Sequence, residues 1–145
     1  MRKEYISKNR DETIEIAKQF MDTIQKGCII TLEGDLGVGK TTFTKGFGIS
    51  LGIQDPIVSP TFTLLRQYEG RLKLNHIDAY RLEHMTSDTL GLYDLMDDDA
   101  VVVIEWSNFI SEYLDPDYSI KLEHLENDDR KIIITKGVSY DNINT

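Results

Sequence analysis

Five residues in one short run have the types and spacing to hold a polyphosphate. Gly34, Gly37 and Gly39 are followed at once by Lys40 and Thr41 in "LEGDLGVGKTTF", residues 32–43. The order Gly34-x-x-x-x-Gly39-Lys40-Thr41 is a complete phosphate-loop pattern. Each residue type has a physical reason to be there. Glycines let the backbone turn tightly and aim successive N–H groups into one anion-binding nest. A helix that starts straight after the loop adds its unpaired N–H groups and the positive end of its dipole. Lys40 brings a flexible point charge to the β- and γ-phosphates, and the Thr41 hydroxyl is suited to ligate magnesium.

Such a loop works only between a strand and a helix, and the flanks supply both. "CIITLE" before it is a short apolar run, and "KTTFTKGFGISLG" after it reads as a helix. Phosphoryl chemistry also needs a carboxylate to hold magnesium and a group to orient the attacking water. In α/β sheets ligands sit beyond the carboxyl ends of strands, which directs attention to acids that end strands. Two qualify: Glu105 closes "VVVIE", and Asp78 closes "LKLNHID". "AVVVIEW" is the continuous β-branched run of a strand buried on both faces, and so the expected neighbour of the loop strand. Glu105 is therefore the expected metal ligand with Thr41, and Asp78 the residue that polarises or positions water, with exchange of the two roles left open. Lys40, Asp78 and Glu105 form the expected catalytic set.

The remaining elements frame these residues. "DETIEIAKQFMDTIQKG" spaces Thr13, Ala17, Phe20, Met21 and Ile24 on one helical face, with Gly27 as a stop. "IVSPTFTLLRQYEGRLKLNHID" predicts a hairpin with Gly70 at the turn. "SDTLGLYDLMDDD" and "SNFISEYL" read as short helices, and "YSIKLEHLENDDRKIIITK" as two strands around an Asn-Asp-Asp turn. The expected fold is α/β: a phosphate-loop NTPase-like central sheet flanked by helices, with antiparallel hairpin additions. Residues 1–145 read as one domain, with 136–145 as a frayed tail. His76 reads as a structural strand histidine, since no Cys or His cluster suggests zinc.

The 145 residues include 40% hydrophobic and 28% charged positions, ordinary for a soluble globular domain. No apolar stretch approaches the roughly 18 residues of a membrane span. The N-terminal "MRKEYISKNRDE" lacks the apolar core of a signal peptide. A single cysteine, Cys28, rules out an internal disulfide framework and suits a reducing compartment, so a cytoplasmic protein is expected. Its place in a strand marks a buried thiol rather than a reactive one. The formal charge is −9. Such a surface repels phosphate backbones, so a nucleic acid in the same pathway would be held by a partner. The same acidity suits docking onto a basic protein surface.

"GDLGVGKTTFTKG", "SPTFTL", "HIDAYRL" and "IEW" follow one another in the order and spacing of a known family. The chain resembles the bacterial tRNA threonylcarbamoyladenosine biosynthesis ATPases, often called TsaE or YjeE, over about residues 12–114. The resemblance implies an ATPase, with ATP and magnesium, that docks on a heterodimer of the threonylcarbamoyl transferase and its inactive paralogue. There it supports repeated modification of adenosine beside the tRNA anticodon, the partners supplying the tRNA surface. The family's nucleotide residues carry over to Gly37, Gly39, Lys40, Thr41 and Thr42, with Asp35 and Val38 as further loop residues against the nucleotide. Its two acids carry over to Asp78 and Glu105, with Trp106 following. Departures are modest: Val38 for the commoner alanine, Lys45 where arginine is frequent, and Ser107-Asn108-Phe109 where many members carry an acid and an arginine.

Secondary candidates surround this set. Thr61 is the expected reach of a γ-phosphate-sensing loop, ahead of Ser59 and Thr63, though a proline-set start of a strand explains "SPTFTL" nearly as well. Arg81 is open to transition-state charge, partner contact or a surface ion pair. Trp106 is open to stacking on a base or partner, or to packing beside the site. The rival functions are a GTPase switch and a small-molecule kinase. "NHID" and "DTLG" are partial matches to guanine-nucleotide signatures in reversed order, and the scattered arginines offer no kinase lid. A binding module with a degenerate nucleotide site is weaker still, given intact Lys40, Thr41, Asp78 and Glu105.

Overall fold

The computed structural model describes residues 1–35, 37–58, 65–78, 98–106 and 116–137. Its seven strands are β1 (Arg2–Ser7), β2 (Cys28–Glu33), β3 (Leu65–Tyr68), β4 (Lys73–Asp78), β5 (Ala100–Trp106), β6 (Tyr118–His124) and β7 (Arg130–Lys136). They form one sheet in the order β1-β7-β6-β2-β5-β4-β3. The most apolar segments take its middle. β2 runs parallel to both β5 and β6, and β5 parallel to β4. Val101, Val102 and Val103 are fully buried, as expected of a strand covered on both faces. Antiparallel strands finish the two sides: β3 on β4, then β7 on β6 and β1 on β7.

Helices α1 (Arg10–Asp22) and α2 (Lys40–Leu51) share a core with one face of the sheet. Ala17 and Met21 from α1 and Phe43, Phe47 and Leu51 from α2 pack with Ile30, Leu32, Val101, Val103, Ile120 and Leu122. The strand residues in that cluster are two apart, which is the period that puts side chains on one face. α1 starts on Asn9, whose side chain accepts from the Glu12 N–H, while Glu12 reaches back to the Lys8 N–H. At the far ends of both helices Arg71 donates to the carbonyls of Met21 (2.9 Å), Ile24 (2.7 Å) and Ser50 (3.2 Å). One guanidinium therefore satisfies C-terminal carbonyls of two helices, where positive charge is favoured.

The expected hairpins are present, and β6–β7 turns through Asn127 and Asp128, both at positive φ. Strand β1 was not anticipated. "RKEYIS" is short, mostly exposed and charged; it pairs with β7 at the sheet edge, and its buried Ser7 hydroxyl lies 2.6 Å from that of Thr13 in α1. Lys136 closes β7 rather than opening a tail, and the Gly137 N–H bonds the Asp117 carbonyl at 2.7 Å. Residues 138–145 and the helices expected in "SDTLGLYDLM" and "SNFISEYL" lie outside the described residues. Among the described residues no helix is long and apolar enough to cross a membrane.

Cys28 opens β2 and is partly rather than fully buried, packed against the edge of the core. Desolvation, with the Asp117 carboxylate nearby, pushes its thiol up from 9.0 to about 12. Below pH 9 that leaves about a thousandfold less thiolate than in the unfolded chain, partly offset by the stronger nucleophile. Iodoacetamide should therefore label the native protein at pH 8 roughly thirtyfold more slowly than the guanidinium-unfolded chain. The native rate should keep climbing with pH beyond 10, where the unfolded rate has levelled. Equal rates at pH 8 would show that the thiol is solvated.

Candidate functional site

The phosphate loop leaves β2 at Glu33 and is squeezed against β6 from its first residue. A Cβ on Gly34 would stand 2.6 Å from Val38 Cγ1 and 2.8 Å from the Leu122 carbonyl oxygen, so only glycine fits. Gly37 and Gly39 have φ of +80° and +111°, in the left-handed region. A Cβ on Gly37 would meet nothing within 4 Å, so this side of the loop is open to a ligand. The Val38 N–H donates to Asp35 O at 3.1 Å, and the Val38 side chain is buried beneath the loop. The Val38 carbonyl in turn accepts from Arg130 Nε at 2.9 Å, tying the loop to the first residue of β7.

Gly39 is the N-cap of α2, with no side-chain cap and no acidic residue in the first turn. The positive end of that helix is thus not neutralised by a carboxylate of its own first turn. Lys40 is 8% exposed, and its Nζ donates to the Gly34 carbonyl inside the loop. Thr41 and Thr42 follow in the same turn, both partly exposed, while Asp35 is exposed at the loop's start.

The acids come from β5, which pairs with β2, and from β4, one strand further out. Glu105 pairs in register with Leu32 of β2 on one side and with Asp78 of β4 on the other. All three positions lie at the carboxyl ends of parallel strands, level with the start of the loop. The strand of Glu105 neighbours the loop strand, as its burial on both faces predicts. The Glu105 carboxylate accepts a hydrogen bond from His76 Nε2 at 2.7 Å, and the His76 ring is fully buried. His76 is thus a strand histidine, but one bonded to a candidate ligand. Trp106 pairs with Glu33 in register. Ser59, Thr61, Thr63 and Arg81 lie outside the described residues.

Thr41 and Glu105 offer only hard oxygen donors, the chemistry magnesium prefers, and nucleotide sites use one or two such side chains plus phosphate oxygens. The residues fit that ion. Sequence reasoning missed Arg130 because its partner is a backbone carbonyl 92 positions away, for which no local pattern exists. The same holds for the link from His76 to Glu105.

A parallel strand, glycine loop and helix at the centre of a sheet, with acids ending the next strands, define the fold as phosphate-loop NTPase-like. Within that class the chain belongs to the TsaE family, described as threonylcarbamoyl adenosine biosynthesis protein TsaE, whose profile matches residues 7–132. A TsaE protein of Bacillus subtilis is 43% identical over 129 residues, covering 88% of this chain and 81% of that protein. One from Treponema pallidum is 36% identical over 132 residues, covering 89% and 97%. The fold agrees with a crystal structure of Bacillus subtilis YdiB at a TM-score of 0.80 and 34% identity, over 99% of this chain and 90% of that one. The family's role lies in tRNA threonylcarbamoyladenosine biosynthesis.

Proposed function

We propose that this chain is a cytoplasmic, magnesium-dependent ATPase. It docks on the heterodimer of the threonylcarbamoyl transferase and its inactive paralogue, and supports modification of tRNA beside the anticodon. The observation that supports this best is the level placement of Glu105, on the strand paired with the loop strand, and of Asp78 on the next strand out. Backbone N–H groups of Asp35, Gly37, Val38, Gly39 and the first turn of α2, with Thr42, would cradle the phosphates. Lys40 would neutralise charge that builds on the γ-phosphate oxygens. Thr41 and Glu105 would hold magnesium, which offsets charge across the β- and γ-phosphates. Asp78 would accept a proton-bearing edge of water and aim its oxygen in line with the bond that breaks.

No arginine near the loop is free of a structural task among the described residues: Arg130 is spent on backbone carbonyls. Turnover by the chain alone is therefore expected to be slow, with the partner pair completing the site. The net charge of −9 favours a basic docking face, and the partners would hold the tRNA. The test is magnesium-dependent hydrolysis of ATP and GTP, with and without the heterodimer. Slow ATP turnover that rises on adding the pair is the expected result. No response to the pair, or a preference for GTP, would overturn the proposal.

A further inference from the structure

His76 sits where the core asks for an apolar side chain. Its neighbours on the same face, Leu74, Val101 and Val103, are all buried hydrocarbons. The imidazole is fully buried as well, yet among the described residues only one of its two nitrogens has a partner. Nε2 lies 2.7 Å from Glu105 Oε2, while the buried Nδ1 has no hydrogen-bond partner among them. An ionised carboxylate only accepts, so Nε2 carries the hydrogen that is donated and Nδ1 keeps a stranded lone pair. A buried polar atom left without a partner costs stability. A leucine here would avoid that cost, so packing alone does not account for the residue. What the histidine supplies and a leucine cannot is the grip on Glu105.

We propose that His76 is a positioning residue for the metal-binding carboxylate. By occupying Oε2 it fixes the rotamer and plane of Glu105 and reserves Oε1 for magnesium. The imidazole holds this angle well because its ring is fully buried, without freedom to follow a wandering carboxylate. This inference rests on the nucleotide–magnesium reading above, and its test separates the two.

The test measures binding of a fluorescent ADP analogue as magnesium is titrated, for the wild type, His76→Leu and His76→Gln. The glutamine amide keeps a donor near the Nε2 position; leucine removes it. His76→Leu should raise the magnesium concentration at half-effect by about 10- to 100-fold, the usual cost of losing an outer partner of a metal ligand. Its affinity for the analogue in EDTA, which depends on the loop, should stay within twofold. His76→Gln should recover most of the magnesium response. A purely structural histidine would instead change both affinities together, or neither, and either result overturns the proposal. A wild type whose nucleotide binding ignores magnesium would sink the metal reading itself. Should His76→Leu fail to fold, nitrogen-15 spectra of the wild-type imidazole decide the question. A proton on Nε2 that shifts when magnesium joins the ADP complex is expected; an unprotonated or unresponsive Nε2 overturns the assignment.

Discussion

Replacing Lys40 with methionine is expected to cut ATP hydrolysis by at least a hundredfold while leaving thermal stability unchanged within about 1 kcal/mol. The two halves of this outcome have one cause. The Lys40 residue is 8% exposed and its ammonium lies against the Gly34 carbonyl, so the folded chain carries the cost of keeping a charge largely out of water. Methionine fills nearly the same channel with an unbranched stem and removes that desolvation cost. Against this stands the Gly34 carbonyl, which loses a charged donor, so the two contributions nearly cancel. Catalysis has no such compensation. One preorganised charge at transferring phosphoryl oxygens is worth roughly two to three orders of magnitude in rate. Phosphate-release kinetics and calorimetry on the same variant check both halves. Wild-type turnover in Lys40→Met would move the catalytic site away from this loop, and a large fall in melting temperature would make Lys40 a structural residue.

Gly46→Ala should lose stability through a single added methyl group. The added Cβ would stand 2.4 Å from the Ile14 carbonyl oxygen, 2.5 Å from Ala17 Cβ and 3.1 Å from the Lys18 nitrogen. Two of these three atoms are α1 backbone, which no change of rotamer can move aside. The helices must separate along their whole contact, and overpacking of this kind costs up to about 3 kcal/mol. Alanine's better helix propensity returns about 1 kcal/mol. The net loss of roughly 2 kcal/mol should lower the melting temperature by about 4–8 °C. Gly52→Ala is the control: its φ is +73° at the C-cap of α2, but a Cβ there meets nothing within 4 Å. It should lose only about 1 kcal/mol, the cost of left-handed backbone without a clash. A melting temperature for Gly46→Ala equal to the wild type would mean that the helix pair tolerates being spread.

What could be read in advance follows the range over which each interaction acts. The phosphate loop, both helices and the two hairpins are local: glycine spacing, periodicity of three to four, and turn residues all lie within a few positions of what they determine. The central place of β5 was also legible, because a strand buried on both faces needs an unbroken apolar run and "AVVVIEW" is one. Strand β1 was not, since its six residues are mostly exposed and charged, and its pairing to β7 and the Ser7–Thr13 contact are visible only in the fold. Nor were the grips of His76 on Glu105 and Arg130 on Val38. They depend on how the sheet and the loop come together, which sets residues 29 and 92 positions apart against each other. A histidine in a strand looks the same from the sequence whether or not a carboxylate stands beside it.

The position of β2 between β5 and β6 has a consequence for the order in which the protein is made. A nascent chain of sixty residues already carries the whole glycine-lysine motif, yet neither strand that flanks it has been synthesised. Gly34 still lacks the Leu122 carbonyl against which it packs, Val38 lacks the Arg130 side chain, and Glu105 does not exist. The motif is complete early, but the contacts that shape it arrive only with β6 and β7. Contacts of such long sequence separation also slow folding, because large loops must close before they are rewarded. On the function proposed above, competence to hold a nucleotide waits for β5, β6 and β7, and a ribosome-bound fragment bearing only the signature would be unable to sequester ATP.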